Sequence, residues 1–439
     1  MSVEKLAKKL TPPANYAKWE AYYGEKHRLD AIGISLPPEA RVLELVVSWP
    51  ALAVDVLDEV LNIEGFALAS DAEVPKKLRS WWERNNMDTL SSQIHTEALV
   101  QGSAFIVIGA LDDKTPRFTG HTAKEIVVET DSTGEVSEAL QKYRSGGKDY
   151  LAHYTPGMVS YYEGTRYGNR LVGTGETNTK HIPVVPVVNK GQLKSKGTKG
   201  VSEMKSIVGY TDAASRSITN LQVAQEILAM PQRYLFGDGL ETLRGPDGKP
   251  KTKIEAYMGL LWTGPSGSSA GQLPGADLSQ IINSVKMYAQ MVSSVAGIPP
   301  SFLGISTDNP ASAEAMRAAK ERLITKAERK QSAFGDSWEK AMRIALEMFG
   351  HPIDTADTLE ALWRDPATPS QSAKAANLLQ AQAQGIITAK TARGHTKTPR
   401  TPAEGSYSRR YSGNGTRPRK RVIPGISGSA RSNAKSIPA

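Results

Sequence analysis

The sequence predicts an α+β fold, mainly helical. Two patterns and one gap carry that prediction. After residue 200, apolar residues recur at three- and four-residue spacing over long stretches, the mark of amphipathic helices. Between residues 103 and 189, short apolar runs alternate with Gly, Ser and Asp turns, the mark of strands. Beyond residue 393, bulky apolar residues almost vanish. The 439 residues exceed one typical domain and leave room for a sizeable core.

In chain order, residues 41–60 and 76–102 read as helices, and 103–111 (SAFIVIGAL) as a buried strand. Short strands are predicted at 126–129, 139–143, 151–154 and 158–163. Residues 181–189 are extended, because Pro183 and Pro186 exclude a helix interior. Residues 202–229 form a long helix with a stripe from Met204 through Val208, Thr211, Ala214, Ile218 and Leu221 to Leu228, ended by Pro231. A Gly/Pro-rich stretch to residue 275 reads as turns around short strands. A second helix covers 277–296, with Gly297 as its breaker and Pro299-Pro300 beyond. Asn309-Pro310 opens a third helix of about 40 residues, in which Gly335 is a potential kink. Two shorter helices are expected at 355–362 and 369–384.

The charge is unevenly placed. From Arg393 onward eleven Lys/Arg face a single acid, Glu404, so a tail of about +10 follows a body with 43 basic and 44 acidic residues. The tail's Gly/Pro/Ser composition predicts disorder. In it Arg409, Arg410, Arg417, Arg419, Lys420 and Arg421 alternate with Tyr407 and Tyr411, which suits polyanion contact or simply solubility.

Several function classes are excluded or unsupported. With no cysteine there are no disulfides, thiolate metal sites or Cys nucleophiles. P-loop, HExxH and GxSxG patterns are missing, and the seven His form no helical metal-ligand pair. We therefore expect no enzyme, no catalytic residues, no metal and no cofactor. Residues 1–13 lack the apolar stretch of a secretory signal, and no run approaches the roughly 20 apolar residues of a membrane span.

The order of parts is distinctive: a mixed domain, a long helix, a β insertion, a second helix, a Gly-Ile-Pro-Pro turn, then a very long Ala-rich helix. Local strings accompany it. They include Gly200-Val201-Ser202-Glu203, Tyr210-Thr211-Asp212-Ala213-Ala214, Met230-Pro231-Gln232-Arg233-Tyr234-Leu235-Phe236-Gly237 and Leu273-Pro274-Gly275-Ala276-Asp277-Leu278. The strongest is Gly297-Ile298-Pro299-Pro300-Ser301-Phe302-Leu303-Gly304, followed by Asn309-Pro310-Ala311-Ser312-Ala313-Glu314-Ala315. In this order the chain resembles the portal proteins, or head-to-tail connectors, of tailed bacteriophages, over roughly residues 40–390.

The resemblance implies a homo-oligomeric ring, dodecameric in that family, at one capsid vertex. Double-stranded DNA would be packaged and later ejected through its channel. It implies an N-terminal wing (1–200), stem helices (201–229 and 276–296), a clip (230–275), a tunnel loop (297–309), a long wing helix (310–350), a small helical crown (351–392) and the basic tail (393–439). The clip would dock the large terminase motor and then the head-tail adaptor, with Arg233, Arg244, Lys249, Lys251 and Lys253 as its basic residues; read without the resemblance, the lysine spot is a solvated hairpin. The tunnel loop facing DNA would comprise Ile298, Pro299, Pro300, Ser301, Phe302, Leu303, Gly304, Ile305, Ser306, Thr307 and Asp308. It has no Lys or Arg, which fits weak and uniform contact with sliding phosphates. Further implied partners are the major capsid and scaffold proteins, with no membrane, and a location in the virion after assembly in the host cytoplasm. The competing reading is a non-enzymatic nucleic-acid-binding virion protein acting through its tail.

Overall fold

The computed structural model describes residues 3–29, 42–165, 168–195, 198–228, 233–236, 269–272, 277–305, 313–354, 356–367 and 379–380. The chain divides into two units, Met1–Thr368 and Pro369–Ala439, and nearly all described residues belong to the first. In the second, only Leu379 and Gln380 are described, and both are helical. The tail and most of the crown region therefore lie outside the described residues.

The first unit mixes helix and sheet. Two short helices, α1 (Val3–Lys9) and α2 (Tyr16–Tyr23), precede α3 (Trp49–Asp58), β1 (Ile63–Leu68), α4 (Glu73–Arg84) and α5 (Met87–Gln101). Strands β2 (Ser103–Asp112), β3 (Thr115–Thr122), β4 (Ile126–Thr130), β5 (Val136–Ser145), β6 (Lys148–Thr155), β7 (Met158–Thr165), β8 (Gly168–Glu176) and β9 (Val184–Val188) follow. Then come α6 (Val208–Leu228), β10 (Arg233–Phe236), β11 (Ser269–Gln272), α7 (Ser279–Ala296), α8 (Ala313–Met348) and β12 (Leu359–Trp363).

Strand β2 is central in the sheet β3-β2-β9, and its unbroken apolar run is explained by burial on both faces. Ala104, Ile106 and Ile108 point into the main core, while Phe105 and Val107 point into a second core. That second core is closed by one face of the antiparallel sheet β4-β5-β6-β7-β8, through Ala139, Ala152, Tyr154 and Val159. The opposite face of the same sheet is capped by Leu6 of α1 against Leu140 and Leu151. Pro186 is tolerated because β9 is an edge strand, and Ser337 of α8 donates to the Pro186 carbonyl at 3.0 Å.

The main core gathers α3, α4, α5, β1, β2, β9 and α8. Trp338 is fully buried at its centre, with ring contacts to Trp82 and His95, and its Nε1–H donates to His95 Nε2 at 2.9 Å. Leu323, Phe334, Met342 and Ala345 of α8 join it, all buried. The helix runs unbroken through Gly335, where no side chain is wanted: a Cβ there would lie 3.3 Å from Trp363 Nε1 of β12.

Several expected elements differ. The helix expected at 41–60 begins only at Trp49, with Pro50 in its first turn. Residues 44–48 instead lie along α6, where Leu45 N–H donates to Thr219 Oγ1 and Val47 N–H to Ser215 Oγ, both at 3.1 Å. The stretch 76–102 is two helices, because Asn86 takes a left-handed backbone (φ 51°) between them. Asn85 then ties this corner to β3, donating to the Trp81 and Pro116 carbonyls and accepting from Phe118 N–H. The helix expected at 355–362 is wrong: residues 359–363 form β12, antiparallel to β1. Leu, Glu and Ala suggested a helix, but Leu359 and Ala361 alternate into the core, and tertiary pairing overrides propensity. Strands β3 and β8, rich in Thr, Gly and charge, were not expected from the sequence.

Candidate functional site

Helices α6 and α7 pack against each other and carry the region implied as the stem. At the start of α6, Met204, Ile207, Val208, Thr211 and Ala214 are buried, but Ile218 and Leu221 are only half-buried. The first turn is not α-helical: residues 203–206 form a 3-10 turn capped by Ser202, which accepts from Met204 N–H at 3.3 Å. On α7 the inward face is Ala289, Val292, Ser293 and Ala296. Met287, Met291 and Val295, spaced four apart, form an outward ridge, each about two-fifths exposed. Ile282 is likewise exposed, so the apolar side chains of α7 are covered only toward the body.

The turn after α7 is tightly held. Gly297 adopts φ 73°, Ser293 Oγ donates to the Ile298 carbonyl at 2.7 Å, and Ile305 N–H reaches the Pro300 carbonyl at 3.2 Å. Residues 300–303 form a single 3-10 turn, closed by Gly304 at φ 77°. Of the loop's apolar residues, Ile298 is buried, and Leu303 and Ile305 pack against the main core. Pro300, Ser301, Phe302 and Gly304 are exposed. Although the loop has no cation of its own, α8 supplies one: Lys320 Nζ lies 5.8 Å from the Phe302 ring centroid. Ser306, Thr307 and Asp308 lie outside the described residues.

Of the region expected as the clip, the described part is an antiparallel pair, β10 with β11, in which Arg233 is opposite Gln272. Arg244, Lys249, Lys251 and Lys253 lie outside the described residues, as do tail residues Arg409, Arg410, Arg417, Arg419, Lys420 and Arg421. The predicted loop, clip and tail sites are thus not brought together among the described residues.

Sequence reasoning missed the junction where α6 and α7 meet the body. Glu203, just before α6, is 3 % exposed and faces three lysines. Lys190 lies at 3.1 Å, Lys330 at 3.5 Å, and Lys326 pairs with the other carboxylate oxygen. Lys326 also donates to the Ala296 carbonyl at the end of α7 (2.8 Å). Lys330 donates to Asn189 Oδ1, and Asn189 donates to the Val201 carbonyl at 2.7 Å. Burial alone would push the Glu203 pKa up, but the Lys326, Lys330 and Lys190 charges override it and bring it down to about 2. Burial lowers Lys326 and brings Lys330 down to about 8, against the pull of Glu203. The backbone here is equally close: a Cβ on Gly200 would stand 1.8 Å from the Gly102 carbonyl oxygen. The available signals were Glu203 inside the Gly-Val-Ser-Glu string and the one-turn spacing of Lys326 and Lys330.

Among the described residues no group of acids and histidines could hold a metal ion, and no helix is long and apolar enough to cross a membrane.

The family match and the curated relatives agree with each other. The family described as "Phage portal protein, SPP1 Gp6-like" matches residues 5–401. The portal protein of Mycobacterium phage L5 is 34 % identical over 397 residues, covering 85 % of this chain and 80 % of that protein. The portal protein of Mycobacterium phage D29 is 32 % identical over the same coverage. Among solved structures, the neck of an empty gene transfer agent (GTA) particle, computed with C6 symmetry, aligns with TM-score 0.48 and 14 % identity, over 84 % of this chain and 92 % of that one. The neck of a native GTA particle, computed with C12 symmetry, aligns with TM-score 0.49 and 12 % identity, over 89 % and 95 %.

Proposed function

The chain belongs to the phage portal protein family, SPP1 Gp6-like, and on that premise we propose that its copies close into a ring, twelve in number, lining the passage for double-stranded DNA at one capsid vertex. The family match over most of the chain carries the portal role, which displaces the reading as a free nucleic-acid-binding virion protein. The exposed ridge of Met287, Met291 and Val295 supports the ring. Apolar side chains in a regular row on a helix fit burial against a neighbouring copy, and a ring interface joins two different faces.

In this reading α6 and α7 wall the channel. The exposed tip of the loop after α7, Pro300 to Phe302, approaches DNA, with Lys320 tempering an otherwise apolar surface. The clip carrying β10 and β11 faces the terminase motor, which supplies the energy of packaging, and afterwards the head-tail adaptor. The crown begins beyond Thr368, since residues 359–363 are committed to pairing with β1. The basic tail lies among packaged DNA inside the capsid, with the major capsid and scaffold proteins guiding assembly in the host cytoplasm.

The test is the mass of the purified 47.4 kDa chain, followed by negative-stain images. A ring with a central hole and a mass of about 570 kDa is expected. A chain that forms no ring, even with its capsid and scaffold proteins present, overturns the reading. Deleting residues 393–439 is expected to leave rings intact and to lower DNA retention in filled particles; unchanged retention removes the tail from the DNA-contacting set.

A further inference from the structure

Beside the Glu203 junction lies an open-sided cavity of about 860 Å³ whose charge does not balance. Three ammonium groups converge on the single Glu203 carboxylate, and α8 adds Arg322 and Arg329 to the lining. Among the described residues that line it, the other acid is Glu321. Half-buried cations without counter-charge are costly unless an anion meets them. Lys330 registers this, since burial and its lysine neighbours hold it well below the usual ammonium range.

The same cavity is also lined by Val295, the last residue of the exposed α7 ridge. Whatever covers Met287, Met291 and Val295 therefore also reaches the cavity mouth. A DNA backbone offers anions but no apolar surface to cover that ridge, whereas a protein surface offers both. The body as a whole is almost neutral, so a local excess of cations is matched by acids elsewhere on the same chain. Asp55 on α3 and Glu59, just past its end, are exposed acids of this kind.

We propose that this cavity is the cationic half of a contact between neighbouring copies of the chain, seating a carboxylate-bearing segment of the next subunit. The proposal rests on the ring reading above and adds to it a charge-specific latch where the stem helices meet the body.

The experiment uses rings of the full-length chain assembled from equal parts of ¹⁴N- and ¹⁵N-labelled protein. A zero-length carbodiimide joins amines to carboxylates, and mass spectrometry identifies the linked peptides. Lys190, nearly half exposed, is expected to link to an Asp or Glu of a differently labelled copy. The double variant Arg322→Glu/Arg329→Glu, at two exposed positions, is expected to keep the wild-type melting temperature, lose that link and lower ring yield by about tenfold or more. Arg322→Lys/Arg329→Lys is expected to restore both. Wild-type ring yield from the double Glu variant, with Lys190 linked only within its own copy, overturns the proposal and leaves the ring reading standing. Normal rings with weakened duplex-DNA binding overturn it in favour of a phosphate site. A wild-type chain that forms no ring overturns the ring reading itself, and this latch with it.

Discussion

The body around Trp338 and the pair formed by α6 and α7 are both built from amphipathic helices, yet they end differently. In the body, each apolar stripe finds its cover within the chain: Trp338, Phe334, Met342 and Leu346 of α8 are fully buried, and β12 returns to seal the edge of β1. In α7, the inward residues are covered and Met287, Met291 and Val295 are not. Spacing along a helix tells which residues share a face; it does not tell how many faces are covered or by whose atoms. The body is a domain that completes itself; in the ring reading proposed above, the pair formed by α6 and α7 would be half of an interface.

The largest expected effect comes from the junction between them. Gly200→Ala places a methyl group on the Gly102 backbone, which cannot move aside as a side chain would, so loss of folded, soluble protein is expected by circular dichroism. Next is Trp338→Ala, which removes the centre of the body core and should cost about 3–5 kcal/mol in urea unfolding. Met291→Glu sharpens the contrast from the other side. Its fold should stay within about 0.5 kcal/mol of wild type, while ring assembly by sedimentation is lost. A melting temperature lowered by many degrees would mean the ridge is covered within one chain, and the contrast would fail.

The last predictions concern pH. His95 is fully buried, and burial brings its pKa down to about 3, below the ordinary 6.5. The unfolded chain then binds the proton first, so this group withdraws stability from the body as pH falls from about 6.5 toward 3. Asp58 acts with the opposite sign. Burial raises it to about 6, so its contribution is present below its ordinary 3.8 and lost as pH rises through 6. Asp58→Asn should accordingly raise the melting temperature above pH 6 and leave it unchanged below pH 4. A uniform shift at all pH values would contradict this.

Much of the chain's order was legible from pattern alone. The apolar run of β2, the Pro-bearing strand β9, the Gly297 stop of α7 and the buried face of α8 follow from spacing and turn chemistry. What escaped depends on partners distant in sequence. The LEALW segment reads as helix until β1 is beside it. Thr115 to Thr122 has no strand signature, yet it pairs along β2 and brings Gly120 against Ile94, 2.7 Å from where a Cβ would stand. At the candidate site, the expected apolar loop is split by packing, with Ile298, Leu303 and Ile305 drawn inward and Phe302 left outside. The Glu203 junction joins residues up to 141 positions apart, and no local pattern announces such a meeting.

Helix α8 has a mechanical consequence. At 36 residues it is a rod of about 54 Å, and a helix resists stretching far more than loops do. From Leu323 onward it is clamped by the body core, while the stretch before that point extends toward the loop that follows α7. It is therefore a lever with its anchor deep in the protein. A force applied ahead of Leu323 would act as torque at the first clamped turns, where Lys326 and Lys330 grip Glu203 and Lys326 also holds the carbonyl that ends α7. Strain introduced at the tip would be felt first at that hinge line, before it reached any residue of the aromatic core.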